Sequence, residues 1–169
     1  MNYFELFSLP ATFSIDLAQL SDTFRNLQKQ YHPDNFVMQA DSERLVTMQK
    51  SIEINDAYQT LKNNCLRAQY LLLLAGVDIA LEQRTLQDTK FLMQQMEWRE
   101  TVASFTKDDE QEINLFSGNI DKQVIGLESL IEAQLNNNEL ENAADSVRKL
   151  KFMLKLQIEL ELLEEKLFD

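Results

Sequence analysis

Apolar residues recur at spacings of three and four through most of this chain, which is the repeat of one face of an α-helix. The first long run consists of Leu17, Leu20, Phe24, Leu27 and Tyr31. Pro33 ends it, because proline lacks a backbone N–H and disfavours helical geometry at the preceding residue. A second run follows after a short loop and consists of Leu45, Met48, Ile52, Ala57, Tyr58 and Leu61. Helices joined by so short a loop pack antiparallel, so we expect a hairpin with His32, Pro33 and Asp34 at its open tip.

The scarcity of turn-forming residues points to the same architecture. The 169 residues include only three glycines and two prolines, which favours long helices with few tight turns. No stretch alternates apolar and polar residues in the way that a half-buried strand does. The sequence therefore predicts an all-α protein.

In the first part of the chain we expect an aromatic helical turn, the two hairpin helices and a short apolar helix. The predicted ranges are 2–8, 16–31, 41–61 and 66–74. Ser14 is the predicted N-cap of the first hairpin helix, since its hydroxyl can accept from a free N–H of the first turn. Asn63 and Asn64 interrupt the helical pattern before the short apolar segment.

The stretch 76–81 reads as a junction, because it contains the first glycine of the chain and precedes a change in charge density. Beyond it we expect three helices, with the first over 85–105 and the second opened by a capping box at 106–109. The predicted inner stripe of the second helix is Ile113, Phe116, Ile120, Val124, Leu127 and Ile131. That of the last helix is Leu140, Ala143, Val147, Leu150, Leu154 and Ile158. The predicted organisation is a hairpin domain at 1–75, a linker at 76–82 and a three-helix bundle at 83–169.

Charge is unevenly distributed along the chain. The formal net charge is −12, of which residues 1–75 carry −2 and residues 76–169 carry −10. A phosphate backbone would be repelled by the second half, so nucleic-acid binding is disfavoured. The acidic run at 108–112 lacks the spaced oxygen ligands and central glycine of a calcium loop, and it is better explained as a favourable helix start.

The chain has one cysteine, Cys65, and one histidine, His32. They allow no intrachain disulfide and cannot enclose a metal ion or cluster without outside ligands, so we expect no cofactor. No catalytic motif pairs His32 with a nucleophile or a second titrating group. The N-terminus lacks a secretory signal pattern, and the apolar run near 70–77 is too short to cross a membrane. We therefore expect a non-enzymatic cytoplasmic protein.

The order of motifs resembles the J-domain of co-chaperones. The hairpin combines Tyr-His-Pro-Asp at 31–34 with Asn-Asp-Ala-Tyr-Gln-Thr-Leu at 55–61. Further stretches, at 3–10, 67–72, 88–97 and 143–150, are similar to the HscB (Hsc20-type) co-chaperones of iron–sulfur cluster assembly. This resemblance spans nearly the whole chain, which makes it more specific than a lone His-Pro-Asp.

The resemblance implies a J-domain at 1–75 whose tip, His32, Pro33 and Asp34, docks on the ATPase domain of a DnaK-class chaperone and stimulates ATP hydrolysis. It also implies that a basic face with Arg25 and Lys29 meets an acidic chaperone surface. These two residues lie four apart on one helix. The chain departs from the family pattern where Asn26, Gln28, Asn35 and Asn64 stand in place of residues that are often basic or proline. A solvated, non-binding face is the alternative for Arg25 and Lys29.

The first helix of the second domain has two apolar faces. At about 100° per residue, one face carries Phe91, Trp98, Val102 and Phe105. The other carries Leu92, Met93 and Met96 and is bordered by Glu97 and Glu100. One face is enough to pack the helix in a bundle, so the second is surplus, and an apolar patch with a charged rim is typical of an interaction site.

Phe152 lies nearly opposite the inner stripe of the last helix and is the remaining candidate. In HscB relatives the surface matching Leu92, Met93 and Met96, together with the position of Phe152, is the site for the cluster scaffold protein IscU. The alternative is that these residues complete a core, since the last helix is apolar on two faces.

The function implied by the resemblance is an adaptor that brings an IscU-like scaffold protein to an HscA-like chaperone. Two other functions remain open. One is a J-protein with a different client, and the other is an acidic helical scaffold without a chaperone role, in which His32 merely caps a helix.

Overall fold

A computed structural model describes residues 1–38, 40–80 and 88–169. Within these ranges the chain forms helices and no strand, so the all-α prediction is confirmed. The α-helices are α1 (Tyr3–Leu6), α2 (Leu17–Gln30), α3 (Asp41–Lys62), α4 (Asn64–Leu74), α5 (Thr89–Ser104), α6 (Glu110–Asn136) and α7 (Leu140–Phe168). Short 3-10 turns occupy Pro33–Phe36 and Lys107–Asp109. The chain divides into two compact units, Met1–Ala75 and Gly76–Asp169.

The first unit is built on a hairpin of α2 and α3. Phe24 stacks on Tyr58 with ring centroids 3.9 Å apart, whereas Tyr31, two turns later on α2, lines a groove with Thr47 and Lys50. Later residues of α2 therefore lie next to earlier residues of α3, so the two helices are antiparallel. The core beneath the hairpin contains Phe4, Phe7, Leu9, Leu20, Ile54, Ala57 and Leu61.

Helix ends follow local hydrogen bonding, and one predicted cap is wrong. Asp16, not Ser14, caps α2, and its Oδ1 accepts from the Gln19 N–H at 3.1 Å. Asp16 immediately precedes the first helical residue, which is the position from which a side chain reaches the third N–H. Asn63 ends α3 and caps α4 by accepting from the Leu66 N–H at 2.9 Å.

The inner face of α3 differs from the prediction. Leu45, Met48 and Ile52 are exposed, whereas Ala57 and Leu61 are buried as predicted, together with Thr47 and Ile54. The helix is apolar on two faces, and the inward one contributes Ile54, Ala57 and Leu61 to the core against which Phe24 and Tyr58 pack. Leu17, in the first turn of α2, is also exposed.

A buried arginine connects three parts of the first unit. Arg67 is 4% exposed, and its guanidinium donates to the Phe13 carbonyl at 2.6 Å, the Leu61 carbonyl at 2.7 Å and Asn64 Oδ1 at 2.7 Å. Burying a charged group is costly unless its donors are satisfied. Here they hold the segment before α2 against the junction of α3 and α4.

In the second unit α6 and α7 form a long antiparallel pair. Ser146 Oγ donates to Gln134 Oε1 and Gln157 Nε2 donates to Asp121 Oδ1, both at 2.7 Å. The predicted stripe of α6 is confirmed, with Ile113, Ile120, Val124 and Ile131 buried. The predicted capping box at Thr106 and Asp109 is present, but it opens the 3-10 turn that leads into α6 rather than α6 itself. The predicted start of the preceding helix at Thr85 lies outside the described residues, and α5 begins at Thr89.

The stripe of α7 is correct only in its first half. Ala143, Val147 and Leu150 are buried as predicted, but Ile158 is 58% exposed. Met153, Leu156 and Leu160 are buried in its place. Helices that pack side by side along their length contact each other at positions that repeat every 3.5 residues. A prediction based on a repeat of 3.6 residues therefore drifts away from the buried positions towards the end of a long helix.

Among the described residues, no helix is both long enough and apolar enough to cross a membrane.

Candidate functional site

The tip of the hairpin is formed by the end of α2 and the 3-10 turn that follows. Tyr31 closes α2 by donating its N–H to the Leu27 carbonyl at 3.0 Å. His32 is extended, with φ −67° and ψ 133°, which is the geometry favoured before a proline. Pro33 then begins the turn, where its missing N–H costs nothing. The tip is therefore a formed structure rather than an irregular loop.

The His32 side chain caps this turn while remaining exposed. Its Nδ1 accepts from the Asp34 N–H at 3.2 Å and lies 3.6 Å from Asp34 Oδ2. In the neutral imidazole the proton is then on Nε2, which is left as a donor. The side chains of His32 and Asp34 are 57% and 87% exposed. A ring donor and a carboxylate therefore stand next to each other on the surface.

A cavity of about 570 Å³ opens beside the tip between α2 and α3. It is lined by Arg25, Gln28, Lys29, His32, Asn35 and Ser51. Asn35 Nδ2 donates to the Lys29 carbonyl at 2.6 Å, which joins the turn to the last turn of α2. Arg25 is ion-paired with Asp22, whereas Lys29 forms no ion pair with any described residue. The cavity thus gathers three of the predicted residues, Arg25, Lys29 and His32, and adds Gln28, Asn35 and Ser51.

A second candidate site lies on α5. Leu92, Met93 and Met96 are 41%, 60% and 65% exposed, and Glu97 and Glu100 at their border are exposed as well. The opposite face of α5 is half-buried through Phe91, Trp98, Val102 and Phe105. The prediction that one face packs and the other is surplus is confirmed.

Phe152 is placed differently from the prediction of an outward residue. It is half-buried in an aromatic cluster, with its ring centroid 5.8 Å from Phe91 and 6.1 Å from Trp98. The Arg99 guanidinium lies 5.2 Å from the centre of its ring. Phe152 therefore holds α5 against α7, and only part of its ring remains accessible.

Two ion pairs that sequence reasoning missed flank this cluster. Arg99 pairs with Glu159 at 3.1 Å, and Lys149 pairs with Asp88 at 2.8 Å. Each cation also lies near an aromatic ring, Lys149 at 5.4 Å from the centre of Phe91. The partners are about sixty residues apart, so no local pattern in the sequence identifies them.

Asp88 also caps α5 by accepting from the Phe91 N–H at 3.1 Å. The hydrogen bond from Lys149, with the one from Phe91, holds the pKa of the Asp88 carboxyl below its usual value of 3.8. A carboxyl with a lowered pKa in the folded state adds stability that is fully present above its unfolded pKa. That stability is lost as the pH falls through the folded value.

Acid should therefore weaken the attachment of α5 below about pH 4. We expect Asp88→Asn to lower the melting temperature at neutral pH, and the difference from the wild type to shrink as the pH falls through this range. Asparagine still caps a helix, so the variant isolates the charge. Melting curves of both proteins from pH 7 to pH 3 measure the effect. A difference that is constant over this range would exclude a role for the Asp88 charge.

A helical hairpin that presents exposed His32 and Asp34 at a proline-started turn, beside a partly basic cavity, has the features that the resemblance to J-domains implies. The model of the DnaJ domain family matches residues 2–70. That of the HSCB C-terminal oligomerisation domain matches residues 87–161.

Individual relatives agree with both matches. A co-chaperone protein HscB homolog of Psychromonas ingrahamii is 72% identical over 169 residues, covering all of both chains. The solved structure of chaperone HscB from Vibrio cholerae is 43% identical and superimposes with a TM-score of 0.90, covering 99% of this chain and 100% of that one. The human co-chaperone HscB, at 24% identity and a TM-score of 0.92 over 99% of this chain and 84% of that one, shares the fold. The chain belongs to the HscB family of co-chaperones.

Proposed function

We propose that this protein binds an IscU-like iron–sulfur cluster scaffold, delivers it to an HscA-like chaperone of the DnaK class, and stimulates that chaperone's ATPase. In this role it assists iron–sulfur cluster maturation in the cytoplasm. It acts as an adaptor and performs no catalysis of its own. The ATP is hydrolysed by the partner.

The observation that carries this proposal is the presence of two exposed sites of different chemistry on two separate compact units. The tip in the first unit combines a ring donor and a carboxylate, and the adjacent cavity adds Lys29, which forms no ion pair with any described residue. Such a group of charges suits recognition of a polar, arginine-bearing surface. The α5 patch is apolar with a carboxylate rim, as at the centre of a protein–protein interface.

We assign the chaperone-binding role to residues 1–75 and the client-binding role to residues 83–169, with 76–82 as the linker. Residues 81–87 of these ranges lie outside the described part of the chain. Holding client and chaperone on one molecule raises the effective concentration of each for the other. The Met-rich patch adapts to an irregular client surface because methionine side chains are flexible and polarizable.

Two measurements separate this function from the alternatives. Stimulation of the steady-state ATPase of a purified HscA-like chaperone distinguishes a J-protein from an acidic helical scaffold without a chaperone role. Titration with a purified IscU-like scaffold then distinguishes the proposed client from a different one. We expect both to be positive, and a scaffold that neither binds nor increases the stimulation would refute the client assignment.

The cavity beside the tip leads to a prediction about charge. We expect reversal of Arg25 and Lys29 to Glu to weaken chaperone stimulation, and added salt to weaken the wild type. Since Arg25 is already paired with Asp22, Lys29→Glu alone should account for most of the loss. The measurement is the half-saturating co-chaperone concentration in the ATPase assay at several salt concentrations.

A matched control for this prediction is available on α7. Reversal of Lys151 and Lys155, two exposed lysines of the second unit, changes the net charge by the same amount away from the tip. It should leave the half-saturating concentration unchanged. Equal effects of the two double variants would show that net charge matters and the α2 face does not.

A further inference from the structure

The three residues that periodicity assigns to the core of α3 form an exposed apolar stripe. Leu45, Met48 and Ile52 are 56%, 53% and 57% exposed. They lie opposite Ile54 and Leu61, which are buried in the core of the first unit. Residues at spacings of three and four are neighbours on a helix surface, so the three side chains form one continuous surface.

This exposure is not required by the fold. Outward positions of a helix are readily filled by glutamate, lysine or glutamine, which favour the helix and cost no solvation. Isolated surface leucines need no explanation, but a continuous apolar surface commonly marks an interaction site. The α3 stripe is therefore a candidate interaction surface.

The stripe is adjacent to the candidate chaperone site at the tip. Ser51 lines the cavity that also contains Arg25, Lys29 and His32. Ile52 directly follows Ser51 in the sequence, and Met48 lies about one helical turn before Ser51. Residues three apart are neighbours on a helix surface, so Met48 and Ser51 bring one edge of the stripe next to the cavity.

The charges near the tip leave room for an apolar contribution to the binding free energy. Arg25 is paired with Asp22, and the first unit has a net charge of −2. Long-range attraction to an acidic surface is therefore weak, and it is further screened by salt. An apolar contact supplies binding free energy that does not depend on charge.

We propose that the outward face of α3, formed by Leu45, Met48 and Ile52, binds an apolar surface of the same DnaK-class chaperone that the tip engages. This inference rests on the proposed function and adds a second, apolar half to the chaperone interface. Three side chains are far fewer than the roughly 20–30 residues per side of a stable dimer interface. The stripe therefore extends a contact made elsewhere, and the adjoining contact is the tip.

The test replaces all three residues with glutamine in the full-length protein. Glutamine favours helices and carries no charge, so helix content and electrostatics are preserved. We expect the half-saturating concentration for stimulation of a purified HscA-like chaperone to rise about tenfold or more, as for removal of central contacts. The rise should persist at high salt. The stimulation reached at saturation should change less than twofold, because the tip remains intact.

The matched control replaces Leu66, Leu73 and Leu74 of α4, which are exposed to similar extents, with glutamine. This variant should behave as the wild type. Equal shifts in the two variants, or an unchanged α3 variant, would overturn the proposal. A change in sedimentation or in scaffold affinity, without a change in chaperone stimulation, would assign the stripe to a second copy or to the client instead. A wild type that stimulates no ATPase would refute the proposed function itself, and this inference with it.

Discussion

His32→Gln is expected to abolish stimulation of the chaperone ATPase while leaving the melting temperature and helix content nearly unchanged. In the structure His32 Nδ1 accepts from the Asp34 N–H and lies 3.6 Å from Asp34 Oδ2, and the side chain is mostly exposed. A glutamine carbonyl oxygen can accept the same hydrogen bond. The variant therefore keeps the turn and removes the ring with its Nε2 donor, which we propose to be the group that contacts the chaperone.

Three measurements on the same variant make this result interpretable. The ATPase assay should show less than about a tenth of the wild-type stimulation at saturating concentration, since removal of a central contact often costs at least tenfold. Thermal melting should be unchanged, because surface substitutions usually alter stability by less than about 0.5 kcal/mol. Scaffold binding should also be unchanged. If His32→Gln unfolds the first unit, or stimulation survives, the tip is not the docking site.

Charge at the tip has its own matched pair of variants. Asp34→Asn removes the exposed carboxylate next to His32, and we expect it to lose stimulation as well. Asp16→Asn makes the same chemical change at the other end of α2, where asparagine caps a helix as well as aspartate does. It should stimulate normally. Loss of stimulation in both variants would point to a general effect of charge rather than to the tip.

Much of the fold follows from local patterns in the sequence. The end of α2 and the boundary between α3 and α4 are predicted within a few residues, because Pro33 acts through its fixed backbone geometry and Asn63 through its side-chain cap. The choice of the buried face of α3 is not local. Both faces carry apolar residues, and contacts of Tyr58 with Phe24 on another helix decide between them.

The same distinction applies to the candidate sites. The sequence places His32 and Asp34 together because they are two residues apart and proline fixes the turn. It also separates the two faces of α5, since a helix repeat is regular. It cannot place Phe152, because α7 is apolar on several faces and the packing depends on Phe91 and Trp98, more than fifty residues away. The ion pair between Arg99 and Glu159 cannot be predicted from the sequence for the same reason.

Replacement of Leu92, Met93 and Met96 by alanine is expected to abolish scaffold binding without unfolding the second unit. All three side chains are exposed, and alanine is the strongest helix former. The melting temperature should therefore stay within a few degrees of the wild type. At the centre of an interface, loss of one such contact often costs about 2 kcal/mol of binding free energy. The triple variant should thus bind the scaffold at least about a hundredfold more weakly.

Phe152→Ala must be tested separately, because this residue packs against Phe91 and Trp98 and so helps to hold α5 against α7. Loss of its contacts with Phe91, Trp98 and Arg99 should cost about 2–3 kcal/mol of stability, somewhat less than for a fully buried phenylalanine. Weaker scaffold binding in this variant then has two possible causes, and only the triple variant assigns the site without ambiguity.

The matched control for the triple variant lies on α6. Leu115, Ile125 and Leu130 are exposed to comparable extents, so their replacement by alanine removes a similar apolar surface from the same unit. Calorimetric scans and scaffold titrations of both variants decide between a client site and a core. If the α5 variant loses its cooperative melting transition, Leu92, Met93 and Met96 belong to the core and the client site lies elsewhere. We expect the α5 variant to melt normally, to lose scaffold binding and still to stimulate the chaperone through the tip. The α6 variant should retain both activities. Together these results would show that client and chaperone are bound by separate surfaces of one adaptor.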